Sequence, residues 1–180
     1  MFEYQRDMFL RSDFSTATEL RAFFESNRER IVGQRILGIF ACGTSIAFER
    51  RIGLQHMTDT PIIVLLENYE LVIETMLYSR INIRINKRKD SLTKYAAKYL
   101  SICTGWRRHN INAVGRGITS FNIETFSNAY YLSVQCDDMA PEGGDYFSKI
   151  SFALDDNTKL NICAEDAGSD GYMDVWISKD

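Results

Sequence analysis

Apolar and β-branched residues reach their highest density between Pro61 and Ile85, PIIVLLENYELVIETMLYSRINIRI. The run is broken once by Glu67-Asn68-Tyr69-Glu70 and again around Tyr78-Ser79-Arg80. Short apolar runs separated by turn residues predict consecutive antiparallel strands, here over about 61–67, 70–75 and 80–86. In the last of these, Ile81, Ile83 and Ile85 alternate with Asn82, Arg84 and Asn86, which predicts one buried and one wet face. Ile150–Ile162, ISFALDDNTKLNI, repeats the strand–acidic-turn–strand pattern more weakly, and a last strand is predicted near Tyr172–Ser178.

Helical spacing appears twice. Thr16-Ala17-Thr18-Glu19 has the form of a capping box, followed by Ala17, Leu20, Phe23 and Phe24 on one face. This predicts an N-terminal helical segment within 15–30. Asp90 can cap a connecting helix over 90–104, with Leu92, Tyr95, Ala96, Tyr99 and Leu100 on one stripe. Gly33 opens RILGIFACG, read as a strand closed by Gly43, with Ser45–Glu49 as its partner. Gln55–Thr60 reads as a loop, and Cys42-Gly43-Thr44-Ser45 as a tight turn.

The chain also echoes itself. Val32-Gly33-Gln34-Arg35-Ile36 returns as Val114-Gly115-Arg116-Gly117-Ile118, 82 positions later, and Leu71-Val72-Ile73 returns as Leu160-Asn161-Ile162, 89 positions later. The difference places about seven extra residues in the second copy, and Asp137–Asp145 is the turn-rich stretch that would hold them. The predicted fold class is α+β, mainly antiparallel β. It is one domain over 1–180, built from two related β-rich half-units, 32–88 and 114–180, by internal duplication, with about two helices.

Composition is that of a globular chain: 45% hydrophobic and 25% charged over 180 residues. No apolar run approaches the roughly 18 residues needed to span a bilayer, and the charged N-terminus does not read as a signal peptide. Cys42, Cys103, Cys136 and Cys163 are widely spaced, without a CxxC or Cys/His cluster, so they read as reduced thiols in a cytoplasmic chain. No metal site and no cofactor motif is predicted. Asp166–Gly171 lacks the ligands of a calcium loop at its third and twelfth positions.

Charge changes the picture more. Between Leu77 and Gly117 ten basic residues face a single acid, Asp90, whereas from Glu124 to Asp180 twelve acids face three lysines. The acidic half carries Asp137, Asp138, Glu142, Asp145, Asp155 and Asp156, and dense negative charge steers cationic proteins toward it. These six residues are the predicted partner-binding set. The expected function is that of a non-enzymatic, immunity-like or inhibitor protein whose partner is a cationic protein such as a toxin or nuclease. The alternative is a nucleic-acid-associated protein using the basic segment 80–116, with Arg84, Lys87, Arg88, Arg107 and Arg108 for phosphates and Trp106 for stacking. A further alternative is an enzyme whose site is assembled from residues distant in sequence. His56 and His109, both in predicted loops, have no sequence-visible catalytic partner, and no catalytic residue is assigned.

The paired V-G-x-x-I openings and strand–acidic-turn–strand units resemble small β-rich bacterial proteins, some of them in immunity-like gene neighbourhoods. That resemblance carries no functional residue across.

Overall fold

The computed structural model describes residues 13–14, 16–50, 53–76, 80–88, 107–108, 113–126, 146–164 and 172–179. The predicted connecting helix 90–104 and the calcium-like stretch lie outside the described residues, as do Asp137–Asp145, Trp106 and His109.

Ten described strands form one antiparallel sheet: β1 (Asp13–Phe14), β2 (Ile36–Arg50), β3 (Gly53–Leu66), β4 (Tyr69–Met76), β5 (Arg80–Lys87), β6 (Arg107–Arg108), β7 (Ile118–Phe126), β8 (Tyr146–Leu154), β9 (Thr158–Ala164) and β10 (Tyr172–Lys179). The strand path is β1-β5-β4-β3-β10-β9-β8-β7, with β2 also on β3 and β6 on the outer side of β2. Each half-unit is a four-stranded meander, β2–β5 or β7–β10, and the β3–β10 pairing joins the two.

The half-units repeat one another in register. Ile36 pairs with Leu66 and Gly38 with Leu65, stepping over one residue; Ile118 pairs with Leu154 and Ser120 with Ala153, stepping over the equivalent one. Ile62, Val64 and Leu65 pair with Ile73, Leu71 and Glu70, as Ile150, Phe152 and Ala153 pair with Ile162, Leu160 and Lys159. Leu71 opposite Ile85 and Ile73 opposite Ile83 become Leu160 opposite Ile177 and Ile162 opposite Val175. A one-residue slip would turn every side chain to the other face, so a shared register is a strong equivalence.

The two halves meet through a reciprocal seam. The Gly33 amide donates to the Ile118 carbonyl (2.8 Å), and the Gly115 amide to the Ile36 carbonyl (2.7 Å). The Ile36 amide donates to the Arg116 carbonyl and the Ile118 amide to the Gln34 carbonyl, both at 2.9 Å. Arg35 faces Gly117, its own counterpart, so a pseudo-two-fold axis passes between them. Gly33 and Gly115 have φ of +86° and +89°, the left-handed region that a residue without Cβ enters freely.

The core follows the same pairing. Ile36, Ile62, Val64, Leu66, Leu71, Ile73 and Ile83 are buried with their counterparts Ile118, Ile150, Phe152, Leu154, Leu160, Ile162 and Val175. Over it lies α1 (Ala17–Ser26), followed by the single turn α2 (Arg28–Ile31). Both arms of the predicted capping box form: the Thr16 hydroxyl accepts from the Glu19 amide (3.2 Å), and the Glu19 carboxylate accepts from the Thr16 amide (3.3 Å). Ala17, Leu20 and Phe24 are buried, and the Phe24 ring lies 5.2 Å from that of Phe121 and 6.1 Å from that of Phe152.

Three local expectations are corrected. Gly43 does not end a strand: β2 runs fifteen residues to Arg50, absorbing Cys42–Ser45 as a register shift rather than a turn. Gln55–Thr60 is not a loop but part of β3, paired on both sides by β2 and β10, and His56 sits in that strand between Ala47 and Val175. Pairing with the neighbouring β2 on one side and the distant β10 on the other overrode polar local composition there. The seven extra residues are also divided. Six fall between the first and second strands of the second unit, and the seventh lies in its hairpin turn, where Asp155–Asn157 replaces Glu67–Asn68.

Candidate functional site

The hairpin turns at the two-fold pole carry the described part of the predicted acidic set. Arg116 follows the left-handed Gly115, and its Nε meets Asp156 Oδ2 at 3.1 Å while a terminal nitrogen donates to the Thr158 hydroxyl (2.9 Å). That hydroxyl donates to Asp156 Oδ1 (2.6 Å), which, with the nearby Arg116 charge, holds the Asp156 carboxyl below its usual range. In the first unit Gln34 takes the place of Arg116, and its Oε1 accepts from the Asn68 amide and side chain, both at 3.1 Å. Asp156 is therefore part of the device that ties a hairpin to the seam, while Asp155 is exposed beside it.

Asp137, Asp138, Glu142 and Asp145 lie outside the described residues, so only Asp155 and Asp156 of the predicted set are placed. Their turn joins β8 to β9, whereas 127–145 joins β7 to β8 at the opposite end of those strands. β8 spans nine residues, which at about 3.4 Å per residue separates the two ends by roughly 27 Å. Two connections start from that far end. The connection 165–171 between β9 and β10 leaves from the same end as 127–145. Together the two connections carry Asp137, Asp138, Glu142, Asp145, Glu165, Asp166 and Asp170 without a lysine or arginine. The strands of the same unit are nearly balanced: Lys149 pairs with Glu124 at 2.9 Å, and the described acids Glu124, Asp155, Asp156 and Asp174 stand against Arg116, Lys149, Lys159 and Lys179.

The basic alternative is divided by the sheet. Arg84, Lys87 and Arg88 belong to or follow β5, whereas Arg107 and Arg108 form β6 on the far side of β2. Four strand spacings of about 4.8 Å put them roughly 19 Å apart along the sheet. Arg88 donates to the Glu67 carbonyl at 3.2 Å, and Arg84 contributes its charge beside Glu70.

Glu70 itself was not singled out from the sequence. It is only 2% exposed, on the face of β4 opposite the main core, with Oε1 accepting from the Asn86 side chain (3.0 Å) and Oε2 without a hydrogen-bond partner. Burial pushes its carboxyl above the ordinary value, against the lowering effects of Asn86 and Arg84. Its strand reads YELVIETM, with a second acid at Glu74, so nothing in the sequence singles out Glu70 as buried. At the equivalent face of the second unit Ser151 donates to Asn161 (2.8 Å), and Asn161 donates to Ser178 (3.0 Å), a closed polar row with every member satisfied. Among the described residues no group of three His, Cys, Asp or Glu side chains is placed to hold a metal ion. No described helix is long and apolar enough to cross a membrane.

No protein-family model, no curated protein and no solved structure matches this chain.

Proposed function

We propose that this protein is a non-enzymatic, immunity-like binding protein that docks a cationic protein partner at the acidic end of its second half-unit. The observation that carries the reading is topological. Two connections with seven acids and no base leave the same end of a sheet whose own strands are nearly neutral. Function grafted on loops held by a rigid scaffold is the general rule, and a duplicated unit frees one copy to diverge at its loops. Like charges gathered at one pole raise the association rate of a positively charged partner through long-range steering. Asp155 and Asp156 drop out of this surface, since they lie at the other pole and Asp156 is engaged by Arg116.

The test uses a protein captured from the native host by the immobilised chain. Its association with wild-type protein is compared with that of Asp137→Lys combined with Asp138→Lys across a salt series. The expected result is slower association for the variant, a flatter salt dependence and little change in dissociation. An unchanged association rate at low salt would refute the reading, as would capture of nucleic acid with a steep salt dependence.

A further inference from the structure

The pseudo-two-fold axis predicts a strand pairing that the structure fills with a different segment. In one direction the seam between half-units is closed by β3 on β10, with Thr58 opposite Met173 and Asp59 opposite Tyr172. β8 repeats β3 at an offset of 88, and β10 repeats β5 at an offset of 92. The symmetric pairing would therefore set Tyr146 opposite Ile81 and Phe147 opposite Arg80, with the N-terminal end of β8 lying on β5. β5 and β8 do approach one another. The edge of β5 is instead held by the N-terminal arm, with Phe14 opposite Ile81 and Asp13 opposite Asn82. The arm reads Asp13-Phe14 and the start of β8 reads Asp145-Tyr146, an acid followed by an aromatic in both, and Phe14 and Tyr146 claim the same register position.

We infer that the β5 edge at Ile81 is an exchange position, occupied by the arm strand β1 in the structure described and by the N-terminal end of β8, with Tyr146 opposite Ile81, when the arm is released. Three features support the exchange. β1 pairs with only two of the eight residues of β5, so few backbone bonds are lost on release. An uncovered strand edge is a template for pairing, so it does not stay open when a strand of the right register lies nearby. The counterpart of the competing strand is already used in this way on the other side of the axis, where β3 serves β10. The proposal is independent of the binding reading above.

Disulfide trapping in the full-length chain tests it. Residues directly opposed in antiparallel strands have Cα atoms about 4.5–5.5 Å apart, within disulfide range. After mild oxidation, with disulfides mapped by peptide mass spectrometry, Phe14→Cys with Ile81→Cys is expected to cross-link in most molecules. Tyr146→Cys with Ile81→Cys is expected to cross-link in a minor fraction. Adding Phe14→Pro, or separately Phe14→Gly, to that second pair should raise the intramolecular yield at least five-fold while circular dichroism stays native. An unchanged yield in the folded monomer would overturn the exchange. So would a disulfide-linked dimer in place of the internal bond, because the occupant would then be a second copy. Unfolding of both arm variants would also overturn it, because an exchangeable strand cannot be required for the fold.

Discussion

Gly33→Ala and Gly115→Ala should destabilise the protein by nearly the same amount. Both glycines sit at positive φ, +86° and +89°, and an added Cβ at either would meet no heavy atom within 4 Å. The cost is therefore conformational and not steric. Forcing an L residue into the left-handed region costs about 1–2 kcal/mol. Alanine also restricts the unfolded chain, which returns about 0.4–1 kcal/mol. The net loss is then about 0–1.6 kcal/mol for each variant, centred near 0.8 kcal/mol. For a chain of 180 residues the central value corresponds to a drop in Tm of roughly 2–3 °C, and the upper end to about 6 °C. Gly33→Asn should cost less than Gly33→Ala, because asparagine tolerates the left-handed region. Urea denaturation of the single variants at neutral pH measures the effect, with an unchanged m-value showing that the cost lies in the folded state. If one glycine proved neutral while the other cost more than about 2 kcal/mol, the equivalence of the two seam positions would be refuted.

Glu70→Gln should stabilise the protein at pH 7 by about 1 kcal/mol and leave it nearly unchanged at acidic pH, because the variant keeps the Asn86 contact without the buried charge. Burial raises the folded carboxyl above its ordinary value of 4.5, so the folded state holds its proton more tightly than the unfolded chain. The stability Glu70 contributes is thus fully present below that value and is lost as pH rises through the raised one. Urea midpoints taken from pH 4 to 8 should fall for wild type relative to the variant, and a less stable variant at pH 7 would contradict the reasoning. Phe24→Ala should cost about 3–5 kcal/mol, since its ring is fully buried between Phe121 and Phe152, whereas the partly buried Phe23→Ala should cost clearly less.

The parts of the fold legible in the sequence were those set by local chemistry. The Thr16–Glu19 capping box, the alternation around Ile83 and the turn at Glu67-Asn68 all follow from neighbours within a few positions, and the structure bears them out. The repeat is legible in the sequence because the same seam position calls for a left-handed glycine twice, at Gly33 and at Gly115. Gln55–Thr60 is a strand, not a loop, because its polar residues pair with the preceding strand β2 and with β10, more than a hundred residues away in the chain. How the acids group depends on strand order, which local sequence does not carry. Asp155 and Asp156 are near Asp145 in sequence, but a full strand lies between them, while Glu165, Asp166 and Asp170 leave from the end that 127–145 shares. Nothing local marks Glu70 as a buried carboxylate with one oxygen unpaired, because its environment is set by cross-strand neighbours such as Asn86.

The reciprocal seam between duplicated half-units can be tested directly by amide hydrogen exchange. The Ile36 amide is bonded to the Arg116 carbonyl and the Ile118 amide to the Gln34 carbonyl at the same 2.9 Å, so either bond opens only when the seam does. The two amides should show protection equal within about three-fold, and both should fall in parallel in Gly33→Ala and in Gly115→Ala. Exchange at one of them on the order of 100-fold faster than at the other would contradict a two-fold seam.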